Sequence, residues 1–190
     1  SETFTSRTSG EPVRVLATCV TQLLWQAITL RDHAWHRRDL DAHLAAIRHV
    51  PSGADAPDGA HTLCWGQPTA ALAPKAPASL LTISAPIEDQ LRWLVREDPS
   101  YLVIYPSALD ALLVRMAERG IRLNKLREVR TLGEALGAET RARVREVLGV
   151  PLVDVYSAQE VGYIALQCPS DEDCYHVQSE SVLVELLRDD

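Results

Sequence analysis

Apolar residues at Val20, Leu23, Leu24, Ala27, Ile28 and Leu30 recur with a helical period, which predicts a helix over 20–32. His33, Trp35, His36 and the run Arg37-Arg38-Asp39 interrupt it, and Asp39 as an N-cap predicts a second helix over 40–49. Residues 50–78 hold many of the prolines and glycines without a clear period. They read as a long irregular connection with one short strand around Leu63-Cys64-Trp65. From Ser79 the pattern becomes regular. Strands are expected at 80–83, 101–105, 126–132 and 152–156, alternating with helices at 87–97, 106–119 and 138–148. Ile87, Leu91 and Leu94 share one face of the first of these helices, while Gly120 and Gly149 are stop signals for the other two. Strand–helix alternation with short connections predicts an α/β fold, a parallel sheet flanked by helices. After Val161 the spacing tightens to short strands at 163–166, 175–177 and 182–187, read as antiparallel additions toward the C-terminus.

Composition narrows the function. The 190 residues are 46% hydrophobic, enough for one sizeable core or for a piece of a larger domain. A net charge of -7 and the lack of any basic block argue against nucleic-acid and anionic-membrane partners. No apolar run reaches membrane-spanning length, so membrane insertion is not expected. Four cysteines in a chain this long do not make a disulfide framework, and reduced thiols in the cytoplasm are the expected state. A hydroxyl-rich loop near one end and an unpaired strand at 181–187 near the other suggest that 1–190 is a fragment of one longer domain.

Three stretches carry candidate chemistry. Thr5-Ser6-Arg7-Thr8-Ser9-Gly10-Glu11-Pro12 offers hydroxyls and backbone N–H groups of the kind that hold phosphate oxygens, although such loops are usually only loops. Tyr156-Ser157-Ala158-Gln159-Glu160 is a polar cluster following a buried strand, where open α/β sheets place ligands. Cys168, Cys174 and His176 have zinc-ligand types, but their spacing is not a standard finger pair. Free cysteines with an ordinary histidine are the favoured reading. His33 and His36 are metal-ligand types three residues apart. The plainer reading, and the favoured one, is a helix end with its side chains near the last carbonyls. Cys19 and Cys64 read as small core residues, and no Gly-x-Ser-x-Gly elbow supports a serine hydrolase.

Four motifs then fall in one order: Thr5 to Pro12, Tyr105-Pro106-Ser107, Leu132-Gly133-Glu134-Ala135-Leu136, and Tyr156 to Glu160. In this order they resemble the adenylate-forming superfamily of acyl-CoA synthetases, and within it the phenylacetate–CoA ligase branch with its CapK-like members. The resemblance covers nearly all of the chain and implies part of the large N-terminal domain, without the mobile C-terminal domain and its lysine. It implies that Thr5, Ser6, Thr8, Ser9 and Gly10, the core of a phosphate-loop-like segment over 1–15, wrap the β- and γ-phosphates of ATP. Gly133, Glu134 and Asp154 are implied to line the adenine site and Tyr156 to stack on the base. Glu160 is implied to hold magnesium and Gln159 to contact the α-phosphate. Tyr105, Ser107, Gly162 and Tyr163 are implied to border a small carboxylic acid.

The implied reaction is ATP- and magnesium-dependent adenylation of that acid, followed by transfer to a thiol, coenzyme A or a carrier protein. A structural zinc built from a Cys…His element is also known in this branch, which places Cys168, Cys174 and His176 in question. The departures are Arg7 for the first loop glycine, Ser157 for glycine and Gln159 for threonine or serine. They leave a second reading open, a non-catalytic accessory or scaffold protein of polysaccharide or secondary-metabolite assembly. On the first reading the fragment by itself is not expected to turn over.

Overall fold

The computed structural model of the protein describes residues 2–4, 14–50 and 52–187. They divide into two compact units, one made of 39–154 and the other of 1–38 with 155–190.

The second of these begins with two short antiparallel strands, β1 (Glu2–Phe4) and β2 (Arg14–Leu16), followed by helix α1 (Cys19–Trp35). The Thr18 hydroxyl accepts the Thr21 N–H at 3.2 Å and caps the helix start. Its far end is held by an ion pair with almost no solvent exposure, in which the Arg38 guanidinium donates to the Asp32 carboxylate at 2.6 Å. His36 lies 3.7 Å from the same carboxylate. The His33 Nδ1 lies 3.3 Å from the Arg38 guanidinium, so the two histidines of this helix end flank a buried carboxylate–guanidinium pair. Such a pair is costly to break on one side only, because the remaining charge would be stranded out of water.

The 39–154 unit contains β3 (Leu44–Arg48), β4 (Ala60–Thr62), β5 (Ala78–Thr82), helix α2 (Ile87–Glu97), β6 (Tyr101–Ile104), helix α3 (Pro106–Arg119), β7 (Glu128–Leu132), helix α4 (Ala138–Val147) and the first three residues of β8 (Leu152–Ala158). Strand order is β4-β5-β3-β6-β7, with the start of β8 beside β7. The pairs β3–β5, β3–β6 and β6–β7 are parallel, and β4 runs antiparallel along β5. Leu44 pairs with both Ala78 and Tyr101, and Tyr101 with Glu128, so the strands start level and their C-terminal ends form one rim.

The parallel strands are buried along most of their length, as strands covered on both faces must be. Ile47, Leu81, Leu102, Ile104 and Val129 meet Leu91, Trp93, Leu94, Leu109, Leu112, Leu113 and Met116 in one core. Pro106 at the first position of α3 suits the fixed φ of proline and loses no helical hydrogen bond, and Gly120 ends the helix. Trp93 is 1% exposed, and its indole N–H donates to the Asp58 carbonyl at 3.1 Å. The backbone passes so close here that a Cβ on Gly59 (φ +69°) would sit 2.4 Å from the Leu80 oxygen and 2.8 Å from the Trp93 indole nitrogen. Only glycine fits.

Three expected elements differ. The helix expected over 40–49 is strand β3. Ala45, Ala46 and Ile47 are all buried, and pairing on both sides by β5 and β6 overrides alanine's helix preference. Asp39 does not cap a helix; its carboxylate accepts the Asp41 N–H at 3.2 Å in a local turn and pairs with Arg127 at 3.0 Å. The short strand expected at 63–65 lies a few residues earlier, as β4. Trp65 instead donates its indole N–H to the Ala42 carbonyl at 2.9 Å and packs edge-on against Tyr101.

In the other unit, β8 continues antiparallel to β9 (Gly162–Cys168), which is antiparallel to β10 (Asp171–Val177). These are the antiparallel additions the spacing predicted. No strand forms over 182–187: a turn at Gln178–Val182 leads into an irregular segment, with Leu183, Leu186 and Leu187 exposed. Among the described residues it pairs with no strand, and a lone extended segment leaves its backbone groups to water.

Candidate functional site

The rim of the parallel sheet brings two of the motif turns together. Tyr105 follows β6, Pro106 and Ser107 open α3, and Gly133-Glu134 follow β7. The Glu134 carboxylate accepts both the Ser107 N–H, at 2.9 Å, and the Ser107 hydroxyl, at 3.0 Å. It thereby satisfies an N–H that α3 cannot bond internally, and its negative charge sits at the positive end of the helix dipole. Gly133 has φ +77°, and a Cβ there would stand 2.9 Å from the Tyr105 ring, so the ring occupies the space a side chain would need. Asp154 is buried at the start of β8 and accepts the Thr131 hydroxyl at 2.6 Å.

An open cavity of about 420 Å³ lies beside this contact, lined by Pro106, Ser107, Asp110, Glu134, Gly137, Thr140 and Arg143 among others. Asp110 ties its far wall together, accepting the Thr140 hydroxyl and an Arg143 N–H, each at 2.8 Å. The starts of α3 and α4 both border the cavity, whose lining includes the carboxylates of Asp110, Glu134 and Glu139 together with the Arg143 guanidinium. Glu134→Ala is expected to cost about 1 kcal/mol of stability, the usual price of a lost helix N-cap, with Glu134→Gln losing less. Denaturant unfolding would read both.

In the other unit, the remaining motif residues lie on the hairpin β8–β9. Tyr156 pairs with Ala165 across the strands and is 59% exposed. The ladder shifts register just after it. Gln159 and Glu160 occupy the exposed turn, followed by Gly162 at the start of β9. Tyr163 is buried. Its ring stacks on Trp25 with centroids 6.2 Å apart, and its hydroxyl lies 3.1 Å from that of Thr29. Thr5, Ser6, Thr8, Ser9 and Gly10 lie outside the described residues.

On the second hairpin, the Cys168 sulfur lies 3.3 Å from the Ser170 hydroxyl and Cys174 donates to the Asp171 carboxylate at 3.2 Å. Hydrogen bonds from Ser170 and then His176 bring the Cys168 thiol down to about 7, while the Asp171 carboxylate pushes the Cys174 thiol up. The His176 ring packs edge-on against Trp35 at 5.2 Å. Among the described residues, no three histidine, cysteine or acidic side chains converge as a metal site.

One polar cluster was not anticipated from the sequence. The Ser79 hydroxyl donates to Glu97 at 2.7 Å and lies 2.8 Å from the His43 Nε2, with His61 3.9 Å from the same carboxylate. The residues come from a loop, two strands and a helix end, so no local spacing announces them. Burial holds His43 below the usual histidine range, although the nearby Glu97 carboxylate pulls the other way. Below the ordinary value of 6.5 the unfolded chain therefore binds the His43 proton more readily than the folded one. This contribution to stability is complete above that pH and falls as the pH drops toward the lower folded value. His43→Gln is expected to flatten that part of the stability–pH profile, measured by denaturant unfolding between about pH 7.5 and about pH 5.

No protein-family model matches the sequence, and no curated protein sequence matches it. Solved structures do match. The anthranilate CoA ligase AuaEII in complex with anthranoyl-AMP superposes with a TM-score of 0.62 at 16% identity, over 90% of this chain and 31% of that one. A 2-hydroxyisobutyryl-CoA ligase in complex with 2-HIB-AMP and CoA gives 0.62 at 18%, over 92% and 37%. The O-succinylbenzoate coenzyme A synthetase MenE from Bacillus subtilis, in complex with AMP, gives 0.58 at 15%, over 89% and 32%. The chain thus spans about a third of the length of each of these proteins. At such identities the likeness is one of architecture: over nearly all of its length this chain shares its α/β fold with part of these ligase structures.

Proposed function

We propose that the chain is part of an adenylate-forming acid–thiol ligase of the phenylacetate–CoA ligase type, acting in the cytoplasm. The observation that carries this reading is the meeting of the Tyr105–Ser107 and Gly133–Glu134 turns at the rim of a sheet shared with acyl-CoA ligases. A carboxylate is a poor acylating agent. Attack of its oxygen on the α-phosphorus of ATP expels pyrophosphate and leaves an acyl-adenylate, which the thiol of coenzyme A then opens with loss of AMP. Tyr105 and Ser107 border the acid, with Gly162 and Tyr163. Gly133, Glu134 and Asp154 shape the adenine site, and Tyr156 stacks on the base through a ring that is already exposed. Gln159 donates to the α-phosphate, and the loop of Thr5, Ser6, Thr8, Ser9 and Gly10 holds the departing phosphates.

Glu160 fits a magnesium ion, being an exposed carboxylate at a hairpin tip beside Gln159. Bound there, magnesium would neutralise phosphate charge. Zinc is not part of this reading.

The test is acid-dependent exchange of labelled pyrophosphate into ATP by the full-length protein, across a panel of aryl and acyl acids. Exchange with one or more acids is the expected result and begins to name the substrate. No exchange with any acid, together with no ATP binding, would overturn the proposal in favour of a non-catalytic scaffold.

A further inference from the structure

We propose that Cys168 and Cys174 form a reversible thiol–disulfide pair that exchanges with low-molecular-weight disulfides of the glutathione type. The two cysteines sit on neighbouring antiparallel strands, β9 and β10. Cys168 pairs with Asp171 and Gln167 with Tyr175, so residues 172–174 bulge out between these pairs. Cys174 is the last residue of that bulge, one position from Tyr175, and Cys168 is one position from Gln167, so the two cysteines flank the same Gln167–Tyr175 pair on its hairpin-turn side. The Gln167–Tyr175 pair they flank has the Cα spacing of opposed residues, about 4.5–5.5 Å, so closing a disulfide, which spans about 4.4–6.8 Å between Cα atoms, asks only the bulge to move. A bulge also gives one of the two strands room to adjust as the bond closes. Cys174 is exposed and Cys168 partly so, and both are free thiols.

Their surroundings assign different roles. Cys174 keeps its proton in a hydrogen bond to the Asp171 carboxylate, while Cys168 lies against a neutral hydroxyl, that of Ser170. Cys168 is therefore the attacking sulfur. As a thiolate it attacks one sulfur of the small disulfide, forms a mixed disulfide and expels the first small thiolate, which takes up the proton Cys168 gave to water. Cys174 then attacks the Cys168 sulfur and expels the second small thiolate, which takes the Cys174 proton. Two protein thiols lose two electrons, and one small disulfide becomes two small thiols.

The experiment equilibrates the full-length protein with reduced and oxidised glutathione, quenches it with acid, alkylates the remaining thiols and maps the peptides. The wild type is expected to yield a peptide linked through Cys168 and Cys174, with loss of two alkylatable thiols, restored by dithiothreitol. Cys174→Ser is expected to stop at a glutathione adduct on Cys168, whereas Cys168→Ser gives no linked peptide. Far-ultraviolet circular dichroism checks that both variants keep the fold. Separate adducts at both cysteines in the wild type, with no linked peptide, would overturn the proposal. So would thiols that resist glutathione and alkylation until a chelator removes a bound metal, which would make the hairpin a zinc element instead.

Discussion

Replacing Glu160 by alanine is expected to lower acid-dependent pyrophosphate exchange by about 10²-fold or more, the scale on which a preorganised transition-state charge partner acts. The melting temperature is expected to stay where it is. Glu160 is exposed at the tip of the β8–β9 hairpin, so removing its carboxylate strips no core contact. That separation makes the variant informative, because loss of exchange without loss of stability has to come from the site. Glu160→Asp keeps the charge but shortens the reach, and is expected to fall between the two. Wild-type exchange by Glu160→Ala would remove this residue from the site while leaving the adenylation reading to the acid panel.

The largest effect on stability is expected at Trp93. Trp93→Ala removes the largest of the almost fully enclosed side chains and is expected to cost about 3–5 kcal/mol. Part of that loss comes from the cavity left among the helices and strands of the core. A further part comes from the Asp58 carbonyl, which loses its indole donor at 3.1 Å. Trp93→Phe goes most of the way to separating the two contributions, since it keeps most of the apolar volume while dropping the N–H. Its smaller loss is expected to lie near the roughly 1 kcal/mol typical of a single hydrogen bond. Denaturant midpoints of the three proteins, compared at constant slope, measure both quantities. An alanine variant as stable as the wild type would mean that the core closes over the vacated volume.

The regular half of the fold could be read from the chain because local and global signals agree there. Along α2 the apolar face of Ile87, Leu91 and Leu94 coincides with acidic residues in the first turn and Arg96 in the last, and α3 runs between Pro106 and Gly120. At Leu44–Arg48 the signals conflict. Alanines at 45 and 46 favour a helix, and only the two flanking strands, distant in sequence, make this segment a strand. The segment 182–187 shows the opposite failure, an apolar pattern with no strand to pair with among the described residues.

Candidate-site residues were legible as motifs, whereas the bonds between them were not. Nothing local says that the carboxylate of Glu134 reaches the amide of Ser107, 27 positions away. The Ser79–Glu97–His43 cluster left no trace in the spacing, because its members are neighbours only once the sheet has formed. The Thr5–Gly10 loop was read on residue type and motif order alone.

The short strand β4 has a consequence for colloidal behaviour. Strand β5, Ala-Ser-Leu-Leu-Thr, is mostly apolar and uncharged, the kind of edge that recruits the strands of other molecules. Three residues of β4, running antiparallel with Ala60, His61 and Thr62 opposite Leu80, Ser79 and Ala78, occupy that ladder. The edge left facing outward is then three residues long and carries a solvent-exposed imidazole, too short and too polar a template for intermolecular sheet growth.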